Sequence, residues 1–267
     1  MICSLGLLAC ALCAQASNAS NSQGALEVVA GSWRPVYPFE QVAWIRSPWR
    51  EKDVLYLDFP EAIFTDRGLI YLSHVNPIFP VLFPDLPRVE WAVIPGGIQF
   101  ERALPDGVTF GGSVQALDER SVGLSLFIEN NSEDPLGDIK LQTCLYLKQT
   151  ADFGEKTMDN KIVHVPGQGW LPFPEAEKAS PNGKYRLGWR MGRPIADKPV
   201  VVCRGKNGRN VAMTWGDATY SLIGNPDHPC MHADPAFDDL PPGARAGIEG
   251  KIVFFEGDID QVEQLLK

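Results

Sequence analysis

Apolar and polar residues alternate with a period of two along most of this chain. Val122, Leu124, Leu126 and Ile128 alternate with Gly123, Ser125, Phe127 and Glu129. After a turn-rich stretch over residues 130–138, Ile139, Leu141, Leu145 and Leu147 share one face. Lys140, Gln142, Cys144, Tyr146 and Lys148 share the other. Side chains two apart on an extended chain point the same way, so each run predicts a strand with one buried and one polar face. The turn between them predicts that the two runs pair as an antiparallel hairpin. Similar runs at 42–45, 54–59, 69–72, 89–94, 108–110, 185–191, 200–203, 211–215, 219–223 and 248–255 predict further strands, with Asn182-Gly183, Asn207-Gly208 and Pro242-Gly243 as turns.

Helical periodicity occurs at the C-terminus. Asp258 and Gln261 have capping-box spacing, and Ile259, Val262, Leu265 and Leu266 form an apolar stripe. A dozen or so strands without alternating helices exclude a doubly wound fold. They predict an all-β, two-sheet antiparallel sandwich with a short C-terminal helix. Two stretches resist strand assignment. Residues 73–87 carry Pro77, Pro80, Pro84 and Pro87 among apolar side chains, which predicts a greasy loop across the end of a sheet. Residues 149–183 hold His164 and the Gly-flanked Trp170, and predict a long ordered loop.

The 267 residues fit one large all-β domain running from about residue 25 to the end. Residues 1–26 carry no charge, and an apolar stretch from Leu5 precedes Ala14-Gln15-Ala16, the small-x-small pattern of a secretory signal. Residues 1–24 are thus expected to be a signal peptide, or a lipoprotein signal with Cys10 at its cleavage point. The mature protein is then secreted, periplasmic or at the cell surface. It would keep Cys144, Cys203 and Cys230, which allow one disulfide with a free thiol, or none. No run approaches the ~20 apolar residues of a membrane span. A net charge of −9 argues against nucleic acid as a partner.

Candidate chemistry concentrates late in the chain. In Asn225-Pro-Asp-His-Pro-Cys-Met-His-Ala-Asp-Pro235 the prolines exclude a helix. Extended, the segment sets His228, Cys230, His232 and Asp234 along one side. Histidine titrates near neutrality, so His228 or His232 is expected to carry protons, with Asp227 or Asp234 orienting it. The same four residues offer metal donors, but no second ligand motif accompanies them, and no metal cofactor is expected. From Lys184 to Arg209 eight basic residues face only Asp197. They form a solvated sheet face or, through Arg186 and Arg190, a subsite for a carboxylate. Trp170 and Trp215 lie near these segments and are candidate surfaces for a sugar ring. No nucleophile elbow, phosphate loop or dinucleotide fingerprint is present.

The pair of runs Val122-Gly-Leu-Ser-Leu-Phe-Ile-Glu-Asn-Asn-Ser-Glu-Asp-Pro-Leu136 and Ile139-Lys-Leu-Gln-Thr-Cys-Leu-Tyr-Leu147 resembles the central hairpin of galactose-mutarotase-like β-supersandwich proteins. The Pro241-Pro-Gly243 turn into the strand ending Val253-Phe-Phe255 is similar to secreted sandwich domains that handle sugars. The resemblance implies two large antiparallel sheets and a concave polar face, including Gln142, Cys144 and Tyr146, that receives a carbohydrate. The aldose epimerases of that superfamily pair a mid-chain histidine motif with a later carboxylate base. Here His228-Pro229 lies late and no motif marks the base, so their mechanism does not carry over.

The sequence therefore suggests a secreted carbohydrate-active protein, a lyase, epimerase or hydrolase acting on an acidic sugar. The alternative is a non-catalytic carbohydrate-binding or cell-envelope module. Catalysis is expected from His228, His232, Asp234 and His164, and substrate binding from Gln142, Tyr146, Trp170, Arg186, Arg190 and Trp215, with all three segments meeting in one pocket.

Overall fold

A computed structural model describes residues 24–76, 78–179, 182–188 and 194–266. The chain opens in a first sheet with β1 (Glu27–Gly31), β2 (Val42–Arg46), β3 (Val54–Thr65) and β4 (Gly68–Leu72). It crosses to a second sheet for the meander β5 (Ala92–Ile94), β6 (Gly97–Ala103), β7 (Val108–Ala116) and β8 (Ser121–Asn130). It returns to the first sheet as β9 (Lys140–Tyr146), then adds β10 (Lys161–Val165) and β11 (Gly169–Pro172) to the second. A single turn, α1 (Phe173–Ala176), leads to β12 (Arg186–Leu187) of the first sheet, and β13 (Val200–Arg204) and β14 (Arg209–Thr214) follow in the second. Finally β15 (Thr219–Gly224) and β16 (Cys230–Pro235) complete the first sheet, and β17 (Arg245–Glu256) the second, before α2 (Val262–Leu265).

The first sheet runs β1-β2-β3-β9-β16-β15-β12 with β4 beside β3. The second runs β11-β10-β13-β14-β17-β8-β7-β6-β5. Among the described strand pairs only β12 and β15 are parallel. The architecture is the all-β sandwich that the alternation predicts. Its seam is built from inward positions of both sheets, among them Leu55, Leu57 and Phe59 of β3, Leu141 and Leu145 of β9, and Leu124, Leu126 and Ile128 of β8.

One expectation is overturned. The runs 122–128 and 139–147 do not pair as a hairpin: β8 lies between β7 and β17, and β9 lies between β3 and β16. The link between them carries the chain from one sheet to the other. Both runs show one apolar and one polar face, and a strand facing its neighbour across a core has the same alternation as one paired with it in plane. Periodicity fixes which side chains are buried. It does not fix the pairing.

Residues 149–183 also depart from the expected loop, since β10 and β11 form an antiparallel hairpin there. Residues 73–87 form no strand, as their prolines require, although Pro77 lies outside the described residues. At the C-terminus Asp258 accepts a hydrogen bond from the Asp260 amide, and a 3₁₀ turn over Ile259–Gln261 precedes α2. The capping box is not closed, because Gln261 Nε2 donates to the Glu256 carbonyl instead. Of the expected signal segment, residues 1–24, all but Gly24 lie outside the described residues. No described helix is long and apolar enough to cross a membrane.

Leu126 on β8 and Leu145 on β9 are buried on opposite sides of the seam. Replacing either by Ala is expected to cost about 2–5 kcal/mol through lost transfer energy and a residual cavity. Chemical denaturation reads this directly; a loss below ~1 kcal/mol in both variants would contradict the packing described.

Candidate functional site

The outer face of the first sheet is ordered in rows that cross its strands. One row joins Trp44, Tyr56, Tyr146 and Cys230, each opposite the next in register. The next joins Asp58, Cys144, His232 and Ile223. Below it the β3–β9 ladder is interrupted: Asp58 pairs with Cys144 but Ala62 pairs with Gln142, so β3 carries two extra residues. Such a bulge re-aims side chains. Here Phe59 stays in the core and Glu61 turns outward.

These rows floor a cavity of about 430 Å³ lined by Glu61, Gln142, Cys144, Cys230, His232 and Ile223 of the sheet. Its walls are Trp33 and Arg34 from the β1–β2 connection, His74 after β4, and Asn225 and His228 from the β15–β16 connection. The first wall is tightly held. Glu40 accepts from the Ser32 hydroxyl and from the Trp33 and Arg34 amides. Arg34 forms an ion pair with the fully buried Asp58, and both bond to the Ser73 hydroxyl. Trp33 stacks on Tyr146 with ring centres 4.4 Å apart, extending the aromatic row of Trp44 and Tyr56 to the cavity rim.

Glu61 sits between two imidazoles. One carboxylate oxygen lies 3.9 Å from His74 Nδ1 and the other 4.0 Å from His232 Nδ1. Burial pushes its carboxyl up to about 7, with His232 pulling the other way. Burial and the neighbouring Arg34 cation depress His74 to about 4. His232 is different. Burial opposes its charge, but the Asp234 carboxylate and the Cys230 sulfur hold its imidazolium well above the usual range. Its Nδ1 lies 3.3 Å from Asp234 Oδ1 and its Nε2 3.8 Å from Cys230 Sγ. Cys144 donates to Cys230, which favours a thiolate at Cys230. No disulfide joins Cys144, Cys203 and Cys230.

The structure brings His228, His232 and Gln142 into one cavity, with Tyr146 beside its rim and Asp234 buried behind His232. It does not bring the other segments there. His164 and Trp170 form an edge-on pair on β10–β11, on the outer face of the second sheet, and His164 is bound to Asp197 at 2.6 Å. They are placed there because Val163 and Val165 of the same strand point into the core. Trp215 is 1% exposed and packs inside the seam, stacked on Phe59 with Nε1 donating to Thr143, so no substrate reaches it. Arg186 lies on the edge strand β12 over the Tyr220 ring, away from the cavity. Arg190 lies outside the described residues. The convergence of three segments is thus corrected to one segment, 225–235, meeting β3 and β9.

The basic block is likewise dispersed: Lys184 pairs with Asp217, Lys198 with Glu263, Lys206 with Glu155, and Arg209 with Asp152. Arg34, Glu61 and His74 went unnoticed in the sequence. A signal existed for Glu61, because Pro60 interrupts an otherwise regular strand run and a proline there marks an edge or bulge. Nothing local marked Arg34.

No family model and no curated protein matches the chain. Solved structures similar to it include the Slr1438 protein of Synechocystis, with a TM-score of 0.45 and 9% identity over 89% of this chain and 98% of that one. A galactose mutarotase related enzyme from Lactobacillus acidophilus has a TM-score of 0.44 and 10% identity over 80% and 95%. A GalM/aldose epimerase homologue from C. elegans has a TM-score of 0.42 and 9% identity over 89% and 100%. Two of the three carry mutarotase or epimerase names. The fold rests on the strand pairing described above, and the chemistry on the side chains of the cavity.

A carboxyl raised by burial binds its proton more tightly in the folded chain than in the unfolded one. Stability from Glu61 is therefore present below about pH 4.5 and is lost as pH rises towards about 7. In metal-free buffer, Glu61→Gln is expected to flatten this decline by roughly 1–3 kcal/mol across that window. Melting curves of both proteins at a series of pH values test it; parallel curves would show that the tightened proton binding is not at Glu61.

Proposed function

We propose that this cavity binds a sugar and that Glu61 and His74 move protons on it, making the protein an epimerase or lyase type of carbohydrate-active enzyme. The observation that carries the reading is the Glu61 carboxyl held within 4.0 Å of two imidazoles in an open cavity. Environments that push two titrating groups apart are how one site holds an acid and a base at the same pH. Near neutrality a carboxyl raised to about 7 still carries protons to give, while an imidazole depressed to about 4 is neutral and can accept one. In a ring opening, the base takes the anomeric hydroxyl proton while the acid protonates the ring oxygen, the carbon–oxygen bond breaks to give the open aldehyde, and reclosure on the other face returns both protons. In an elimination the same pair removes the proton next to a carboxylate and protonates the leaving glycosidic oxygen.

The aromatic row supports a sugar as ligand. Trp44, Tyr56, Tyr146 and Trp33 form a half-buried band ending at the cavity, the kind of apolar surface with polar tips that suits ring C–H groups beside hydroxyls. Gln142 and Asn225 add amide donors and acceptors to the lining. A cleft holding His228, His232 and an arginine favours the enzyme over a flat binding module. For an acidic sugar, Arg34 in the cavity wall, already paired with Asp58, is a cation that its carboxylate would meet. Export through the uncharged N-terminal segment completes the proposal, and N-terminal sequencing of the protein from its host checks it.

The test is a panel of neutral aldoses and uronate glycans, followed by NMR for anomer or epimer exchange and by ultraviolet absorbance for the double bond of an elimination. With an active substrate, Glu61→Gln and His74→Ala are each expected to lower kcat by about 10²–10⁴-fold. Activity should fall as pH rises beyond about 7 and again as it drops towards about 4, following the two groups. His164→Ala and Trp170→Ala, on the opposite outer face, should leave kcat and KM unchanged. Full activity in Glu61→Gln would refute the assignment.

A further inference from the structure

We infer that Cys144, Cys230 and His232 form a binding site for one thiophilic divalent cation, zinc above all, on the floor of the cavity. The site does not depend on the sugar reading, since it follows from donor geometry alone. One donor atom of each residue lies within 4.8 Å of the other two. Donors on a tetrahedral zinc, with Zn–S about 2.3 Å and Zn–N about 2.0–2.1 Å, stand about 3.6–3.8 Å from one another. The Cys230 Sγ to His232 Nε2 distance is 3.8 Å. Side-chain adjustments of well under an ångström would therefore place these two on one ion.

The sheet presets this arrangement. Cys144 and His232 are direct cross-strand partners, and Cys230 lies two residues from His232 on the same face of β16. The cation thus needs no mobile loop to collect its ligands. His232 is also oriented as metal-binding histidines are. Its Nδ1 faces Asp234 Oδ1 at 3.3 Å, leaving Nε2 towards the sulfurs, and Asp234 is itself fixed by the Thr143 amide at 2.9 Å. Two thiols and an imidazole together select zinc over calcium or magnesium, which prefer oxygen.

All three donors line the cavity, so a fourth position opens on the space where the sugar is placed. Three protein ligands and an open position are the pattern of zinc sites that act on a bound molecule; sites that only hold a fold close all four. Uptake is a simple exchange: the ion forms two Zn–S bonds and one Zn–N bond, and two protons leave the donor set for solvent.

The full-length protein, stripped with chelator under reductant, is titrated with zinc and separately with cobalt(II). The expected result is one ion per chain, release of two protons, and for cobalt the intense sulfur-to-metal charge-transfer absorption of thiolate coordination. Cys144→Ser, Cys230→Ser and His232→Ala should each weaken binding at least 100-fold, and Asp234→Asn by about 10- to 100-fold. Cys203→Ser, at a buried thiol on the other sheet, should bind as the unmodified protein does. Cobalt bound without charge-transfer bands, or equal affinity in a Cys144→Ser/Cys230→Ser double variant, would overturn the site. So would no uptake by the reduced protein, whether or not Cys144 and Cys230 are found oxidised to a disulfide beforehand. The cobalt spectrum of the unsubstituted protein decides the matter even if a variant fails to fold. Metal uptake is read without any sugar, so loss of the sugar reading leaves this result standing.

Discussion

The outer face of the first sheet is shaped by one buried charge. Asp58 is fully enclosed, and an enclosed carboxylate needs a cation or a proton. Burial pushes its acidity down in strength, and Arg34 and the Ser73 hydroxyl partly restore the charged form. Removing one partner from such a pair typically costs on the order of 3–5 kcal/mol. The pair therefore acts as a fastener. Arg34 can reach Asp58 only if the β1–β2 connection folds across the sheet, and Glu40 holds that connection in its turn. The wall it raises converts an open sheet face into a cavity.

That enclosure explains why neighbouring ionisable groups behave so differently. Glu61 and His74 lose water on the same side of the sheet, and each shifts towards its neutral form. His232 loses water as well, yet Asp234 behind it and the sulfur beside it favour the charged ring. A few ångströms thus separate a neutral imidazole, a carboxyl near neutrality and an imidazolium. A flat, solvated sheet face would have left all of them near their ordinary values.

Much of this was legible in the sequence. Alternation gave the sheet class, and the outward set Gln142, Cys144 and Tyr146 stands on the outer face as read. The proline-rich segment 225–235 pointed to β16 and to His232, because clustered imidazole, thiol and carboxylate are rare together. What alternation could not supply was pairing. The polar face of β8 and that of β9 looked like one hairpin, yet they belong to opposite sheets. For the same reason His164 and Trp170 seemed to be neighbours of His232 although they stand on the other side of the sandwich. Arg34 and Glu61 join the cavity through a buried ion pair and a bulge, both long-range features that no local window contains.

The position of β9 has a further consequence for how the chain acquires its structure. β5 to β8 form a meander of neighbours in sequence, which can close early because each step costs little loop entropy. β9 has no such neighbour. Thr143 reaches Ala233 across 90 residues of chain, so β9 and β16 cannot meet until nearly all of the polypeptide is available. During synthesis the second sheet's meander can form while the cysteine, histidine and carboxylate groups of the cavity remain apart. The site is then among the last parts to assemble, and its thiols stay exposed to solvent until the C-terminal strands arrive.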